Sequence, residues 1–231
     1  YFLLKKDRRG WESHMFDLGL VIAFAGIVGG RLWDVFFFDW EYYHNHLLEI
    51  PYIWQGGMAI QGGIIFACIA AYFYLKKHQI PVLPFADTVT PGIILGQAIG
   101  RIANFMNGDA FGHPTGQDFG LLYPDTTLAY HTYGAQPLWP AEVWECQGDL
   151  LIFVLLLWYG CKTRAEGTTF CLYIMFYSLL RFFLENYRGD YGTLALGLKS
   201  AQLTSLAAFA GAFILFLYFH FKHKSKSGIS E

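Results

Sequence analysis

Charge is scarce in this chain. Asp, Glu, Lys and Arg together make up 15% of the 231 residues, whereas hydrophobic residues make up 55% and aromatic residues 19%. Soluble globular domains carry about 25% charged residues, so the composition excludes that class and predicts an integral membrane protein. The net charge of −2 gives no sign of nucleic-acid binding, and we expect no nucleic-acid partner.

Metal-ligand patterns and the common catalytic motifs are also missing. The chain has only four cysteines, without metal-ligand spacing, and we expect them to be packing residues: Cys68, Cys146, Cys161 and Cys171. The sequence contains no motif for a phosphate-cradling loop, a serine nucleophile elbow or a zinc-binding helix. We therefore expect neither a metal nor a cofactor.

Long apolar runs, by contrast, are abundant. A bilayer core requires ~20 apolar residues per helix, and six segments reach this length: 14–38, 57–75, 82–106, 139–160, 168–187 and 199–219. The sequence therefore predicts an all-α fold, a polytopic transmembrane helical bundle with six spans that forms one integral membrane domain over residues 1–231. Tyr1 to Leu4 resemble the last turn of a preceding helix, so we expect a further first helix to be missing.

The basic residues predict the orientation of these spans. Most of them form four clusters beside the apolar runs: Lys5/Lys6/Arg8/Arg9, Lys76/Lys77, Lys162/Arg164 and Lys222/Lys224/Lys226. Cytoplasmic loops collect Lys and Arg, so these clusters should face inward. They alternate with the segments 39–55, 107–138 and 188–198, which are therefore predicted to be outer loops.

Three arginines lie inside the apolar runs, where a charge is costly and indicates a functional site: Arg31, Arg101 and Arg181. At ~1.5 Å of rise per residue, all three lie in the outer third of the bilayer. Helical spacing places polar residues on three coherent faces: Gln97/Arg101/Asn104, Glu142/Glu145/Asp149 and Tyr177/Arg181/Glu185/Arg188. Lys199 lies at a helix edge.

Clustered arginines suit an anionic lipid headgroup, because a guanidinium binds phosphate with two hydrogen bonds and stays protonated. Alternatively, Arg31 with Asp34 and Arg181 with Glu185 could be ion pairs that only hold the bundle together. Arg101 has no carboxylate three or four positions away, so it is the first candidate for a functional role. The acidic face could supply a general base or could pair with the arginines.

One segment is similar to a long family signature. Residues 100–112, Gly-Arg-Ile-Ala-Asn-Phe-Met-Asn-Gly-Asp-Ala-Phe-Gly, resemble the signature of bacterial prolipoprotein diacylglyceryl transferases. The segments 29–32, 54–63 and 177–188 resemble the second-helix, Trp-x-Gly-Gly-Met and Tyr-x-x-x-Arg-x-x-x-Glu-x-x-Arg segments of that family. These matches follow in order over nearly the whole chain.

The resemblance implies a seven-helix enzyme of the bacterial inner membrane with its active site toward the periplasmic leaflet and residues 107–138 as a periplasmic loop. It implies transfer of the diacylglyceryl group of phosphatidylglycerol to the lipobox cysteine of a prolipoprotein, among membrane lipids. The implied catalytic residues are Arg101, Asn104, Asp109, Glu142 and Gln61. The implied residues for binding the lipid phosphate are Arg101, Arg181, Glu185, Tyr177, Arg31, Asn107 and Gly112.

The chain departs from the family pattern at several positions. Gln61 stands where many members have His, and an amide is not a general base at neutral pH. Asp109 replaces the usual Glu, and 140–145 reads Pro-Ala-Glu-Val-Trp-Glu in place of Pro-Ser-Gln-x-Tyr-Glu. Glu142 or Asp109 is therefore our candidate proton acceptor. Two rival functions remain open, a divergent non-catalytic lipid-binding protein and a transporter of anionic solutes, although the chain lacks the inverted halves of many transporters.

Overall fold

The structure, a computed structural model, describes residues 3–4, 9–160, 165–189, 193–195 and 197–227. The predictions for Tyr1 and Phe2, for Cys161 and for the basic residues within 5–8 and 162–164 lie outside the described residues. The chain divides into two compact units, Tyr1–Phe85 and Ala86–Glu231. The prediction of one membrane domain over the whole chain stays a prediction.

Helices dominate the described residues. The α-helices are α1 (Met15–Trp33), α2 (Trp40–Tyr43), α3 (Ile60–Lys77), α4 (Val82–Asn107), α5 (Leu128–Tyr133), α6 (Ala141–Gly160), α7 (Thr168–Leu184) and α8 (Ser200–Ser227). A 3-10 turn precedes α1 and a π-helical turn, Asp34–Phe38, follows it. The described residues also contain a short antiparallel hairpin of β1 (Thr193–Ala195) and β2 (Leu198–Lys199), together with isolated β-bridges in the loop after α4.

Each predicted span coincides with a helix. Within the described ranges, four helical segments are long and apolar enough to cross a membrane: Trp11–Phe38, Val82–Asn107, Thr168–Tyr187 and Ser200–Lys222. The protein is therefore an integral membrane protein built largely of helices. Helices α3 and α6 have 18 and 20 residues, but α6 carries three carboxylates and α3 ends in two lysines. That these two helices also cross the bilayer, and that 107–138 is periplasmic, stay predictions.

In the first unit, helix α1 packs directly on α3 through glycine. A Cβ atom on Gly29 would lie 2.6 Å from the carbonyl oxygen of Gly62, and a Cβ atom on Gly62 would contact the carbonyl of Gly29 in the same way. The two helix backbones therefore touch, as small residues permit in helix pairs within membranes. Beside this contact, the amide of Ala59 donates to the carbonyl of Gly30 at 3.0 Å, which fixes the start of α3 against α1.

In the second unit, apolar side chains join α4, α6 and α7. Ile94, Ile152 and Leu156 form the buried centre of this packing, and side chains of α7 such as Leu180 surround them. Helix α8 packs along α7. The loop after α4 has a small core of its own, built from Phe111, Ala129 and Leu138. These contacts bring the C-terminal ends of α4 and α7 close to the N-terminal end of α6.

Candidate active site

The centre of the site in the second unit is Glu145 of α6. Its carboxylate is fully buried and contacts three guanidinium groups: Arg101 Nη2 lies 2.8 Å from Oε1, while Arg181 Nη1 and Arg188 Nη1 lie 3.3 and 3.5 Å from Oε2. The hydroxyl of Tyr177 also donates to Oε1 at 3.2 Å. One buried carboxylate thus organises three cations, of which one comes from α4 and two come from α7 and the segment that follows it.

The local sequence explains why a carboxylate is tolerated at this point. Pro140 directly precedes α6, where a residue without an N–H group costs no helical hydrogen bond. Glu142 and Glu145 follow within the first two turns of the helix. The positive end of the helix dipole favours negative charge there, and the surrounding guanidinium groups compensate for the loss of water around Glu145.

Arg101 also begins a chain of polar contacts along the C-terminal end of α4. Its Nη1 donates to Asn104 Oδ1 at 3.0 Å, and Asn104 Nδ2 donates to Asp109 Oδ1 at 2.7 Å. The two halves of one amide therefore join a cation to a carboxylate. Arg101 keeps 21% of its side chain exposed, and Asp109 is half-buried, so both ends of this chain are accessible.

The end of α7 supplies the second cation. Arg181 Nη2 lies 2.9 Å from Glu185 Oε2, which is the ion pair that the i, i+4 spacing predicts. Arg181 keeps 15% of its side chain exposed, whereas Arg188 keeps 4% and Glu185 none. Arg181 therefore remains accessible while its partners are sealed in the protein.

Gly112 ties the outer loop to this end of α7. Gly112 and Arg188 form an antiparallel bridge, supported by hydrogen bonds from the Gly189 amide to Phe111 and from the His113 amide to Tyr187. A Cβ atom on Gly112 would collide with the backbone of Trp139. Only glycine fits here, which gives a physical reason for a glycine at this position in the site.

Two further carboxyl groups of α6 are buried without a hydrogen bond to their oxygens in the described residues. Glu142 and Asp149 expose none of their surface, and none of their carboxyl oxygens has a hydrogen-bond partner among the described residues. Of the acidic face that the sequence indicated, Glu145 alone is held by the arginines in the ion pairs found among the described residues. Glu142 therefore belongs to the site by position and lacks access to solvent.

Arg31, in the first unit, is held by backbone carbonyl groups. Its Nε donates to Ile50, its Nη2 donates to Glu49, and its Nη1 donates to Gly56 and Gly57, all at 2.7 to 3.1 Å. The predicted ion pair with Asp34 is long, at 3.9 Å. Since each guanidinium nitrogen already has an acceptor, Arg31 orders the loop before α3. Its predicted contact with a lipid phosphate stays a prediction.

Two other predicted site residues, Gln61 and Asn107, lie at exposed positions near helix ends. Gln61 is exposed in the first turn of α3, and Asn107 is exposed at the last position of α4. Neither contact with substrate nor a catalytic role follows from these positions. Among the described residues, no three His, Cys, Asp or Glu side chains are arranged to hold a metal ion.

Glu145, Arg188 and Lys199 are the site residues that the sequence left without an assigned role. Glu145 stood on the predicted acidic face, but spacing does not distinguish it from Glu142. Lys199 lies 3.8 Å from Glu185 Oε1, a contact that depends on how α8 packs on α7. The sequence contained one indication of the role of Glu145. Arg101 has no carboxylate three or four positions away, and a buried arginine without such a neighbour needs a partner from another helix.

Accessible guanidinium groups on buried carboxylates, at the ends of membrane-length helices, define an integral membrane protein with an arginine-rich site. The chain belongs to the prolipoprotein diacylglyceryl transferase family, whose profile matches residues 1–218. Relatives called phosphatidylglycerol–prolipoprotein diacylglyceryl transferase include that of Geobacillus kaustophilus, 38% identical over 86% of this chain and 74% of the relative. That of Clostridioides difficile is 35% identical over 95% of this chain and 83% of the relative.

Proposed function

We propose that this protein transfers the diacylglyceryl group of phosphatidylglycerol to the lipobox cysteine of prolipoproteins. The family and the names of the relatives support this reaction. The observation that carries it in the structure is the placement of Arg101 and Arg181 on the two oxygens of Glu145, each with part of its side chain exposed. Two guanidinium groups held this close together suit one phosphate diester.

The reaction is a displacement at carbon. The cysteine sulfur attacks the glycerol carbon that bears the phosphate ester, so a carbon–sulfur bond forms and a carbon–oxygen bond breaks. The bonding electron pair leaves with the oxygen of glycerol phosphate, and the thiol proton passes to a base. The products are a thioether on the prolipoprotein and free glycerol phosphate, with no change in oxidation state that would require a redox partner.

Arg101 and Arg181 stabilise the negative charge that builds up on the departing phosphate. Positioned donors of this kind accelerate reactions strongly, because they need no reorganisation when the charge develops; removal of one typically costs about 100- to 1,000-fold in rate. Glu145 and Glu185 keep both guanidinium groups in place before the lipid binds. Tyr177 adds one hydrogen bond to Glu145 and limits its rotation.

Asp109 is the proton acceptor in this proposal. A thiol is mostly protonated at neutral pH, so its attack requires a base. Asp109 is half-buried and accessible, and the amide of Asn104 orients its carboxylate. Glu142, the other candidate, has no exposed surface, and Gln61 carries an amide that does not accept the proton. Asn104 then acts by holding Asp109 at a fixed distance from Arg101.

The cellular setting follows from the same proposal. Lysine pairs at the end of α3 and near the end of α8 support an inward orientation of those ends by the positive-inside rule. The arginine site would then open to the outer leaflet of the bacterial inner membrane, where the lipid donor is available. Six spans, a periplasmic 107–138 loop and direct contact with lipobox segments and membrane lipids belong to this proposal.

The test is release of glycerol phosphate from phosphatidylglycerol in detergent, with a lipobox peptide as acceptor. Wild type is compared with Arg101→Ala and with Arg9→Ala, which removes an exposed guanidinium in the first unit. A second peptide carries Ser in place of the lipobox Cys. We expect release that depends on the cysteine, that falls at least about 100-fold with Arg101→Ala, and that is unchanged with Arg9→Ala.

Other results identify the rival functions. Binding of phosphatidylglycerol without release, by a folded wild-type protein, would indicate a lipid-binding protein. Passage of anionic solutes into proteoliposomes without release would indicate a transporter. A loss of thermal stability with Arg101→Ala, together with unchanged release per folded molecule, would assign Arg101 a purely structural function.

A further inference from the structure

Lys199, at the end of strand β2, contacts the end of α7 and one carboxylate of the arginine site. It is the last residue of β2 and directly precedes α8. Its ammonium group donates to the carbonyl oxygens of Arg188 at 2.6 Å and of Glu185 at 2.8 Å. Both carbonyls lie within the four residues after α7. One lysine side chain therefore binds the end of the helix that carries Arg181.

The end of α7 requires such a partner. The last four carbonyl groups of a helix have no N–H donor within the helix, and a positive charge near them is favourable. In this chain α7 tightens into a 3-10 turn, Glu185–Tyr187, and Arg188 then leaves with an extended backbone. The contacts of Lys199 fix this change of direction, and they therefore fix the direction in which Arg188 departs.

Gln202 strengthens the same junction one turn into α8. Its Oε1 accepts the backbone amide of Lys199 at 3.0 Å, while its Nε2 donates to the carbonyl of Phe182 at 3.3 Å and to Asn186 Oδ1 at 3.1 Å. Gln202 is 3% exposed. The start of α8 and the end of α7 are therefore one hydrogen-bonded unit, in which Lys199 supplies the charge.

The charge of Lys199 also acts on the ion pairs. Glu185 is shared between Arg181 Nη2, at 2.9 Å from Oε2, and Lys199 Nζ, at 3.8 Å from Oε1. Without Lys199, Glu185 would direct all of its attraction to Arg181 and would compete more strongly with an incoming phosphate. Lys199 itself uses its donors on carbonyl groups, so its effect on the ligand passes through Arg181.

We propose that Lys199 is a positioning residue that sets the affinity of the site for an anionic phosphate headgroup, by holding the end of α7 and by sharing Glu185 with Arg181. The proposal rests on the transferase function proposed above. It predicts weaker binding of phosphatidylglycerol when Lys199 is lost, while the binding of a diacylglycerol with the same chains, which lacks the phosphate, stays the same.

The test uses the full chain with Lys199→Met, Lys199→Gln and Lys199→Arg. Methionine removes charge and hydrogen bonds, glutamine keeps donors without charge, and arginine keeps both. The matched control is Lys222→Met, which removes an exposed lysine near the other end of the same helix. Binding of short-chain phosphatidylglycerol and of the diacylglycerol with the same short chains is measured directly, together with thermal stability and with KM and kcat for glycerol phosphate release.

We expect Lys199→Met to weaken binding of phosphatidylglycerol about tenfold, which lies within the usual range of coupling between interacting sites, without affecting binding of the diacylglycerol. Lys199→Gln should give a partial loss and Lys199→Arg a recovery. The double variant Lys199→Met/Glu185→Gln should recover part of the affinity, because it removes the carboxylate that competes for Arg181. KM should rise in parallel with the binding constant.

Three outcomes would overturn the inference. The first is unchanged affinity for phosphatidylglycerol in folded Lys199→Met and Lys199→Gln proteins. The second is equal weakening for both lipids, which a general structural role would produce. The third is a double variant whose losses simply add. Absence of glycerol phosphate release in wild type would instead reject the transferase function, and the direct binding measurements would still decide the role of Lys199.

Discussion

Arg101 and Glu145 are 44 positions apart in the chain, and their side chains meet at 2.8 Å. Glu145 is fully buried, and 21% of the Arg101 side chain remains exposed. The pair therefore has an inner, protected member and an outer, accessible member. We therefore expect Glu145 to hold the site together and Arg101 to bind the ligand, so substitutions of the two residues should have different effects.

Glu145→Gln should unfold the site as well as inactivate it. The amide cannot balance three guanidinium groups, and breaking a buried ion pair by removing one partner costs about 3 kcal/mol or more. We expect a clear loss of thermal stability in detergent and loss of glycerol phosphate release. Glu41→Gln, at an exposed position, is the control and should have no effect. Full stability of Glu145→Gln would contradict the central position of this carboxylate.

Arg101→Lys should be folded and nearly inactive. A lysine keeps the charge next to Glu145, but a single ammonium group cannot reproduce the planar guanidinium that contacts Glu145 and Asn104 together. The expected result is a fall in kcat/KM of about 100-fold with thermal stability close to wild type. Activity near that of wild type would show that charge alone suffices at this position.

Asp109→Asn should abolish the chemical step while sparing lipid binding. General base catalysis typically contributes about 100- to 10,000-fold, and the amide no longer accepts the thiol proton. The measurement is kcat for glycerol phosphate release together with direct binding of phosphatidylglycerol. Glu142→Gln is the matched comparison, because it makes the same change at the buried carboxyl group. Loss of kcat in Glu142→Gln alone would transfer the role of proton acceptor to Glu142.

Gly112→Ala should disturb the backbone that positions Arg188 in the site. The added methyl group would collide with the backbone of Trp139, so the bridge between Gly112 and Arg188 must open. We expect lower thermal stability and reduced activity. Gly211→Ala in α8 is the control, since no atom would lie within 4 Å of its new methyl group and alanine favours a helix. Equal stability of the two variants would refute the packing argument.

Arg31→Ala should expose the loop that precedes α3. Four carbonyl groups of half-buried or exposed residues would lose their donor, and each hydrogen bond of this kind contributes about 1 kcal/mol. Limited proteolysis should then cut within 49–57, and Arg31→Lys should protect this loop only in part. If Arg31→Ala instead weakened binding of phosphatidylglycerol without any change in proteolysis, the predicted phosphate contact would be the correct role.

The sequence predicted the helices and the polar faces well, because apolar length and helical spacing are local properties. It predicted the pairing of Arg181 with Glu185 for the same reason. It could not select Glu145 from the acidic face, since that choice depends on which turn of α6 faces α4 and α7. Likewise, the carbonyl groups that hold Arg31 come from a loop 18 to 26 positions away. Every residue has a backbone carbonyl group, so the residue types in the loop do not indicate which ones bind an arginine.

The contact chain from Arg101 through Asn104 to Asp109 has a direction. The carbonyl end of the Asn104 amide faces the cation and its amino end faces the carboxylate, so reversing the amide would break both hydrogen bonds. An anionic headgroup is attracted to the arginine end and repelled from the aspartate end, whereas a neutral thiol is not. In the proposed mechanism the site would therefore separate its two substrates by charge before any bond is made, with the headgroup at Arg101 and the thiol at Asp109.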